Sequence, residues 1–168
     1  RQMCIRDSAK TYKDLGLKTN AILNFCGGYQ NPRFASQVGA DAEGWSGSCT
    51  FAPDFIAKKA HLQEINAMYK ARSGMDMDGI AMESFTTLIV AADAFSRAKS
   101  TDPEAITNAL RTTELVVDTM PGKGVKFNEN GQNVWIASTL SQIQNGKYRV
   151  VWPKEWASSD LWWPMYKK

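Results

Sequence analysis

Apolar and polar positions change rhythm along the chain, and the changes predict its elements. Residues 9–16 read as the end of a helix, with Leu15 apolar and Gly16 as its C-terminal cap. The short apolar run at 21–26, Ala-Ile-Leu-Asn-Phe-Cys, is closed by Gly27 and Gly28, which suits a buried strand better than a helix. Asn31-Pro32 predicts a short helix through Val38 that ends at Gly39, and 45–51 is a second strand with Gly44 and Gly47 around it. Helix, strand, glycine-rich turn, helix, strand is the alternation of an α/β layer with parallel strands.

The middle of the chain has helical spacing. Leu62, Ile65 and Tyr69 form one stripe over 60–72, stopped by Gly74. Over 80–98 the positions Met82, Phe85, Leu88, Ala92 and Phe95 predict a broad buried face. Next, Ser100-Thr-Asp-Pro-Glu104 starts a helix to about Arg111 that buries Ile106 and Leu110. Either Thr101 and Glu104 form a capping box, or Asp102 caps with Pro103 at the first helical position. From Gly122 the period becomes two. Val125-Lys126-Phe127 is extended, Asn128-Glu-Asn-Gly131 is a turn, and Asn145-Gly146 between 134–144 and 147–152 is a hairpin signal. Five of the six tryptophans lie from Trp135 onward, which makes the tail aromatic.

Composition narrows the function classes. With 168 residues, 43% hydrophobic and 22% charged, the chain is globular in type rather than disordered or collagen-like. Its longest apolar stretches, as at 88–92, fall far short of the roughly 20 residues that cross a bilayer, so no direct membrane insertion is expected. Twenty basic against 17 acidic residues give +3, with no Lys/Arg run longer than two, so no nucleic-acid partner is expected. Three cysteines and one histidine exclude a disulfide framework and a zinc site of the usual spacing, and no cofactor or metal is expected. Residues 1–8 show no signal-peptide pattern and resemble adaptor-derived sequence. They are read as a non-native leader, which would make Cys4 foreign.

Several constellations fail on spacing. Gly44-Trp-Ser-Gly-Ser48 has serine where a nucleophile elbow needs its second glycine, and His61 is the one imidazole available as a base. Gly122-Lys-Gly-Val-Lys-Phe127 lacks the third glycine and the following helix of a dinucleotide fingerprint. Asp76, Asp78 and Glu83 around Gly79 lack the alternation of a calcium loop and read as a solvated helix entry, and Asp41 and Glu43 as surface residues. Cys26 and Cys49 each close a strand candidate. They are either two small buried hydrophobes or, if the strands are neighbours, a pair within bridging distance. No enzymatic activity is expected.

The order of segments carries a resemblance. Gly27-Gly-Tyr-Gln-Asn-Pro32, Asp41-Ala-Glu-Gly44, Met68-Tyr-Lys-Ala-Arg-Ser-Gly74, Ala91-Ala-Asp-Ala94, Ser100-Thr-Asp-Pro-Glu-Ala-Ile106, Gly124-Val-Lys-Phe-Asn-Glu-Asn-Gly-Gln132 and Val151-Trp-Pro153 stand in sequence. Together they resemble the C-terminal half of periplasmic solute-binding proteins of the branched-chain amino-acid type, the receptor components of ABC importers. The resemblance spans 9–168 and implies part of a type I periplasmic binding protein fold, with two α/β lobes joined by chain crossovers. It assigns 9–48 to the second lobe and 49–138 to the first. Residues 139–168 then form the third crossover and the return to the second lobe, and the second crossover lies at 45–50.

The resemblance further implies a solute held between the lobes and delivered to a membrane permease, in the periplasm or on a cell-surface lipoprotein. A ligand-sensing regulatory domain of the same fold is the alternative. Ligand-binding residues carried over are Phe25, Cys26, Gly27 and Tyr29 in the loop after the first strand, and Glu83 and Phe85 on a first-lobe helix. Phe85 reads equally as core. Relatives that bind α-amino acids place an acidic group in this loop, whereas here no Asp or Glu lies nearer than Asp41. The expected solute is therefore an amino acid only if its ammonium is met elsewhere, and otherwise an amide or aromatic compound. This chain by itself is expected to bind solute poorly and to expose an apolar helical face.

Overall fold

Asn31, Asp102 and the glycines at 39, 74 and 146 cut the chain into elements that the computed structural model describes over residues 5–25, 27–51 and 53–166. In order these are α1 (Ile5–Asp14), β1 (Leu23–Asn24), α2 (Gly27–Gln30), α3 (Pro32–Val38), a 3-10 turn at 39–42, β2 (Ser46–Cys49), α4 (Pro53–Lys58) and α5 (Ala60–Ser73). They continue with α6 (Gly79–Ala98), α7 (Pro103–Arg111), β3 (Glu114–Val116), β4 (Gly124–Lys126), β5 (Thr139–Gln144) and β6 (Lys147–Trp152). Packing divides the chain into two units, 5–79 with 139–166, and 80–138.

The first unit is built on a four-stranded sheet in the order β1-β2-β5-β6. β1 and β2 are parallel, with Leu23 opposite Ser46, and the other pairs are antiparallel. The strand expected over 21–26 shrinks to two residues. Asn24 donates its side-chain amide to the Ser46 carbonyl at 3.0 Å, and by Gly27 the backbone has entered α2. The hairpin is as predicted, with Asn145 and Gly146 both at positive φ (53° and 71°), the combination a type I′ turn demands. Glu43 accepts hydrogen bonds from both turn amides, at 2.9 and 2.6 Å, so this surface carboxylate ties the hairpin to the start of β2. Cys49 is a free, buried thiol 3.2 Å from the Thr139 hydroxyl.

The two faces of this sheet are closed by different chemistry. One face carries Tyr29, Phe34, Trp45 and Ile143 in a core that also takes in Ala9 of α1 and Met165 of the tail. Tyr29 is fully buried. Its hydroxyl lies 3.2 Å from the Trp45 carbonyl and 3.1 Å from that of Ser141, and its own carbonyl accepts from the Tyr148 hydroxyl at 2.5 Å. Burial pushes the Tyr29 phenol well above its usual pKa, a hydrogen bond with Ser141 pulling the other way, so it stays a donor at any ordinary pH. The other face meets the tail through glutamines. Gln142 donates to the carbonyls of Gly44 (3.0 Å) and Trp162 (3.2 Å) and accepts from the Trp162 amide at 2.8 Å. Gln144 reaches the Asp160 carbonyl at 2.7 Å.

α4 belongs to this unit. Asp54 pairs with Arg149 at 3.2 Å and also accepts from Ser158, and Phe55 packs against Trp156 at 5.5 Å. Asp76 is joined by Asn66 (2.9 Å) and Lys70 (3.0 Å), which hold its carboxyl below the usual range, Asn66 contributing most. It is thus a tie at the end of α5, and among the described residues no cluster of acidic, Cys or His side chains could hold a metal ion.

In the second unit Asp102 caps α7, its carboxylate accepting from the Ala105 amide at 3.0 Å, which decides between the two capping patterns. β3, which the pattern did not predict, pairs antiparallel with β4, and Lys126 meets Glu114 across them at 2.8 Å. Of the predicted face of α6, Met82 is buried and Phe85 half-buried, whereas Leu88 and Phe95 are 68% and 50% exposed, the apolar helical face expected of this chain by itself; Thr86, Val90 and Ala94 are buried beside Met82. Thr86 fits because its hydroxyl is satisfied, by the Met82 carbonyl at 2.9 Å and Thr119 at 2.7 Å.

Three substitutions test this packing by chemical denaturation. Gly47→Ala would put a methyl 2.6 Å from Cε1 of the immobile Tyr29 ring, and should cost about 1–3 kcal/mol. Tyr29→Phe should cost about 1 kcal/mol through its lost hydroxyl. Gln142→Leu should cost about 2 kcal/mol by stranding both backbone groups of Trp162 and leaving the Gly44 carbonyl only its longer bond from the Ser46 hydroxyl.

Candidate functional site

In open parallel sheets ligands bind beyond the carboxyl ends of strands, because the loops there are free to vary while the strands hold them. The parallel pair here is β1 with β2, so the segment that leaves β1 is the place to examine. Phe25 follows β1 directly and is 77% exposed. Gly27 comes next among the described residues, with no heavy atom from beyond its chain neighbours and its own helix within 4 Å of the point where a Cβ would sit. Cys26 lies outside the described residues.

Tyr29 occupies the opposite side of the same segment. Its ring is buried against Phe34 (6.0 Å) and Tyr148 (5.2 Å) and its hydroxyl is engaged within the sheet. It holds the segment from beneath, and its side chain is not offered to solvent. Two residues not anticipated from sequence assist it. Asn24 and Gln30 bracket the segment and donate side-chain amides to the Ser46 and Ser48 carbonyls of β2, each at 3.0 Å. Their signal was weak: a polar residue inside an apolar run, and an amide after a glycine pair.

Phe25, Gly27 and Tyr29 thus stand together in the first unit, whereas Glu83 and Phe85 stand on α6 in the second, both half-buried. Within that second unit a cavity of about 30 Å³ is lined by Thr86, Val117, Thr119, Pro121, Val125 and Ile136. It has room for about one water and none for a solute. Ser46 and Ser48, in the rejected nucleophile pattern, are parts of strand β2, and Ser46 is buried.

Comparison with known proteins gives this arrangement its context. A family model described as periplasmic binding protein matches residues 7–147. The Leu/Ile/Val-binding protein homolog 7 of Brucella abortus is 28% identical over 154 residues, 87% of this chain and 38% of the relative. The homolog 8 of Brucella suis is 26% identical over 152 residues, 88% of this chain and 38% of its own. Among solved structures, the leucine-binding protein LivK of Thermotoga maritima superposes with a TM-score of 0.72 at 20% identity. That match covers 87% of this chain and 40% of the other. A branched-chain amino-acid ABC transporter protein of Thermus thermophilus with bound valine gives 0.65 at 17% identity, covering 88% and 42%. The chain therefore spans less than half the length of these relatives, and the structural likeness establishes its fold as part of a type I periplasmic binding protein. On the match over 7–147, the chain belongs to the periplasmic binding protein family.

Proposed function

We propose that the protein carrying this chain is the substrate-binding component of an ABC importer for amino acids or related small solutes. It captures a solute between two lobes and presents it to a membrane permease. The observation that carries the reading is the family match over 7–147. The exposed Phe25 and open Gly27 at the carboxyl end of a parallel strand pair are in keeping with it. Relatives named as Leu/Ile/Val-binding proteins and as ABC transporter proteins support the transport role. They support equally a protein that binds and releases its solute without chemistry, outside the cytoplasm, in the periplasm or on a lipoprotein.

In this reading 9–48 and 139–168 belong to the second lobe, and 49–138 to the first. β2 and β5, side by side and antiparallel, are the crossover strands on which the lobes turn. Asp54 of α4 pairs with Arg149 of β6 and 53–79 packs with the sheet, which favours a passage into the first lobe later than residue 49. Phe25, Cys26 and Gly27 contribute to the solute from one lobe, and Glu83 and Phe85 from the other. Tyr29 positions the loop.

Thermal-shift and mass-spectrometric screening of the complete protein against amino acids, amides and aromatic acids tests the proposal. A solute that raises the melting midpoint by several degrees and is recovered chemically unchanged is the expected result. Conversion of the solute, or a midpoint indifferent to every solute, would overturn it.

A further inference from the structure

We propose that the tail over 153–165 is a strap that locks α4 and the crossover strands β2 and β5 into one body, so that lobe rotation is taken up by chain beyond Lys58 and before Thr139. That the lobes rotate rests on the solute-binding reading above; the strap itself does not. Its course runs across the strands rather than along any of them. The Ser158 amide donates to the Val150 carbonyl of β6 at 2.8 Å. Gln144 and Gln142 of β5 then take the Asp160 carbonyl and both backbone groups of Trp162. Farther on, the Met165 amide donates to the Asn20 carbonyl at 2.8 Å, ahead of β1, and the Met165 carbonyl lies where a Cβ on Gly44, just before β2, would fall. The Met165 side chain is buried in the Tyr29 core. The tail is therefore fixed at β6, at β5, at the start of β2 and at the approach to β1.

The same segment grips α4, the first helix after β2. Where the tail turns at 156–158, the Trp156 ring packs on Phe55 at 5.5 Å, and Lys58 donates to the carbonyls of Trp156 (3.1 Å) and Ala157 (3.4 Å). Asp54 accepts from the Ser158 hydroxyl, from Arg149 at 3.2 Å and from the Val150 amide at 3.3 Å. Phe55 is 2% exposed, so the joint is packed as well as bonded. Rotation between lobes needs backbone dihedrals to change in the crossover segments. Residues held both in the β2–β5 ladder and by the strap lack that freedom. The ladder's last rung is Cys49 opposite Thr139, whose hydroxyl donates to the Cys49 carbonyl at 2.9 Å. Fixings strung along one short chain reinforce one another, because each holds the segment at high effective concentration for the next. Release at one end therefore loosens the other.

The test is hydrogen exchange read by mass spectrometry on the complete protein carrying this chain, without solute. Gln142→Leu frees the strap from β5 and should speed exchange about tenfold or more both at 160–165 and in α4, which the strap holds elsewhere. Gly47→Ala, of similar cost but beneath Tyr29 on the other face, is the control and should leave α4 at its wild-type rate. Trp156→Ala runs the test from the other end, speeding exchange at 160–165, and serves where Gln142→Leu does not fold. Effects confined to the substituted end, or Gly47→Ala acting on α4 as strongly, would overturn the strap. A solute found by the screen above should leave exchange in α4 and at 139–165 unchanged while altering it elsewhere, and a change inside that body would overturn its rigidity. A complete protein that binds no solute would overturn the transport reading, and the strap would stand or fall on the variants.

Discussion

The first unit depends on a single close approach, the Tyr29 ring lying over the backbone of Gly47. Because Gly47 has no side chain, the ring can descend onto the sheet far enough for its hydroxyl to reach the carbonyls of Trp45 and Ser141. The same residue's carbonyl is met by Tyr148 on β6. One side chain and one carbonyl therefore link the segment after β1 to β2, β5 and β6, the other three strands of the sheet. Without that link a strand of two residues, paired on one edge, could hardly hold its exit loop in place.

The opposite face of the sheet follows from the first. Strand periodicity puts Gln142 and Gln144 on the side away from Ile143, where an α/β layer would ordinarily place helix-packing aliphatics. Their carboxamides carry both a donor and an acceptor, so each can treat a passing backbone as a neighbouring strand would. Gln142 does so with Trp162, donating to its carbonyl and accepting from its amide. Around Trp162 the aromatic tail is thus held by its backbone, with Trp163 and Tyr166 largely exposed. Burial of two glutamines is tolerable because every polar atom of both is hydrogen-bonded.

Much of this was legible in the residues themselves. The Asn31 and Asp102 caps, the Gly74 stop and the Asn145-Gly146 hairpin all stand where local chemistry put them, because each depends on contacts within a few residues. The failures share a different cause. β3 is three residues long and becomes a strand only because β4 lies beside it, so its own period carried no signal. On α6 both sides of the helix carry apolar residues, so spacing alone did not bring out Thr86, whose burial goes with a tertiary contact, the Thr86–Thr119 hydrogen bond. In the candidate site Phe25 and Gly27 were legible as the segment leaving β1, although Gly27 opens helix α2 rather than a loop, and the buried role of Tyr29 was not legible, since its partners lie 16 and 112 residues away.

That long reach bears on how the site works. Among the described residues, those offered to solvent directly after β1 are a ring and a glycine, neither of which has a side chain that can hydrogen-bond. Their placement is delegated to Asn24, Tyr29 and Gln30, which face the sheet and bond to carbonyls of β2 and β5. Positioning is thus separated from contact. A change at Phe25 alters what the loop presents without loosening the loop, whereas a change at Tyr29 or Gly47 moves everything the loop presents at once. An arrangement of this kind lets the exposed surface change by single substitutions while the sheet beneath stays fixed.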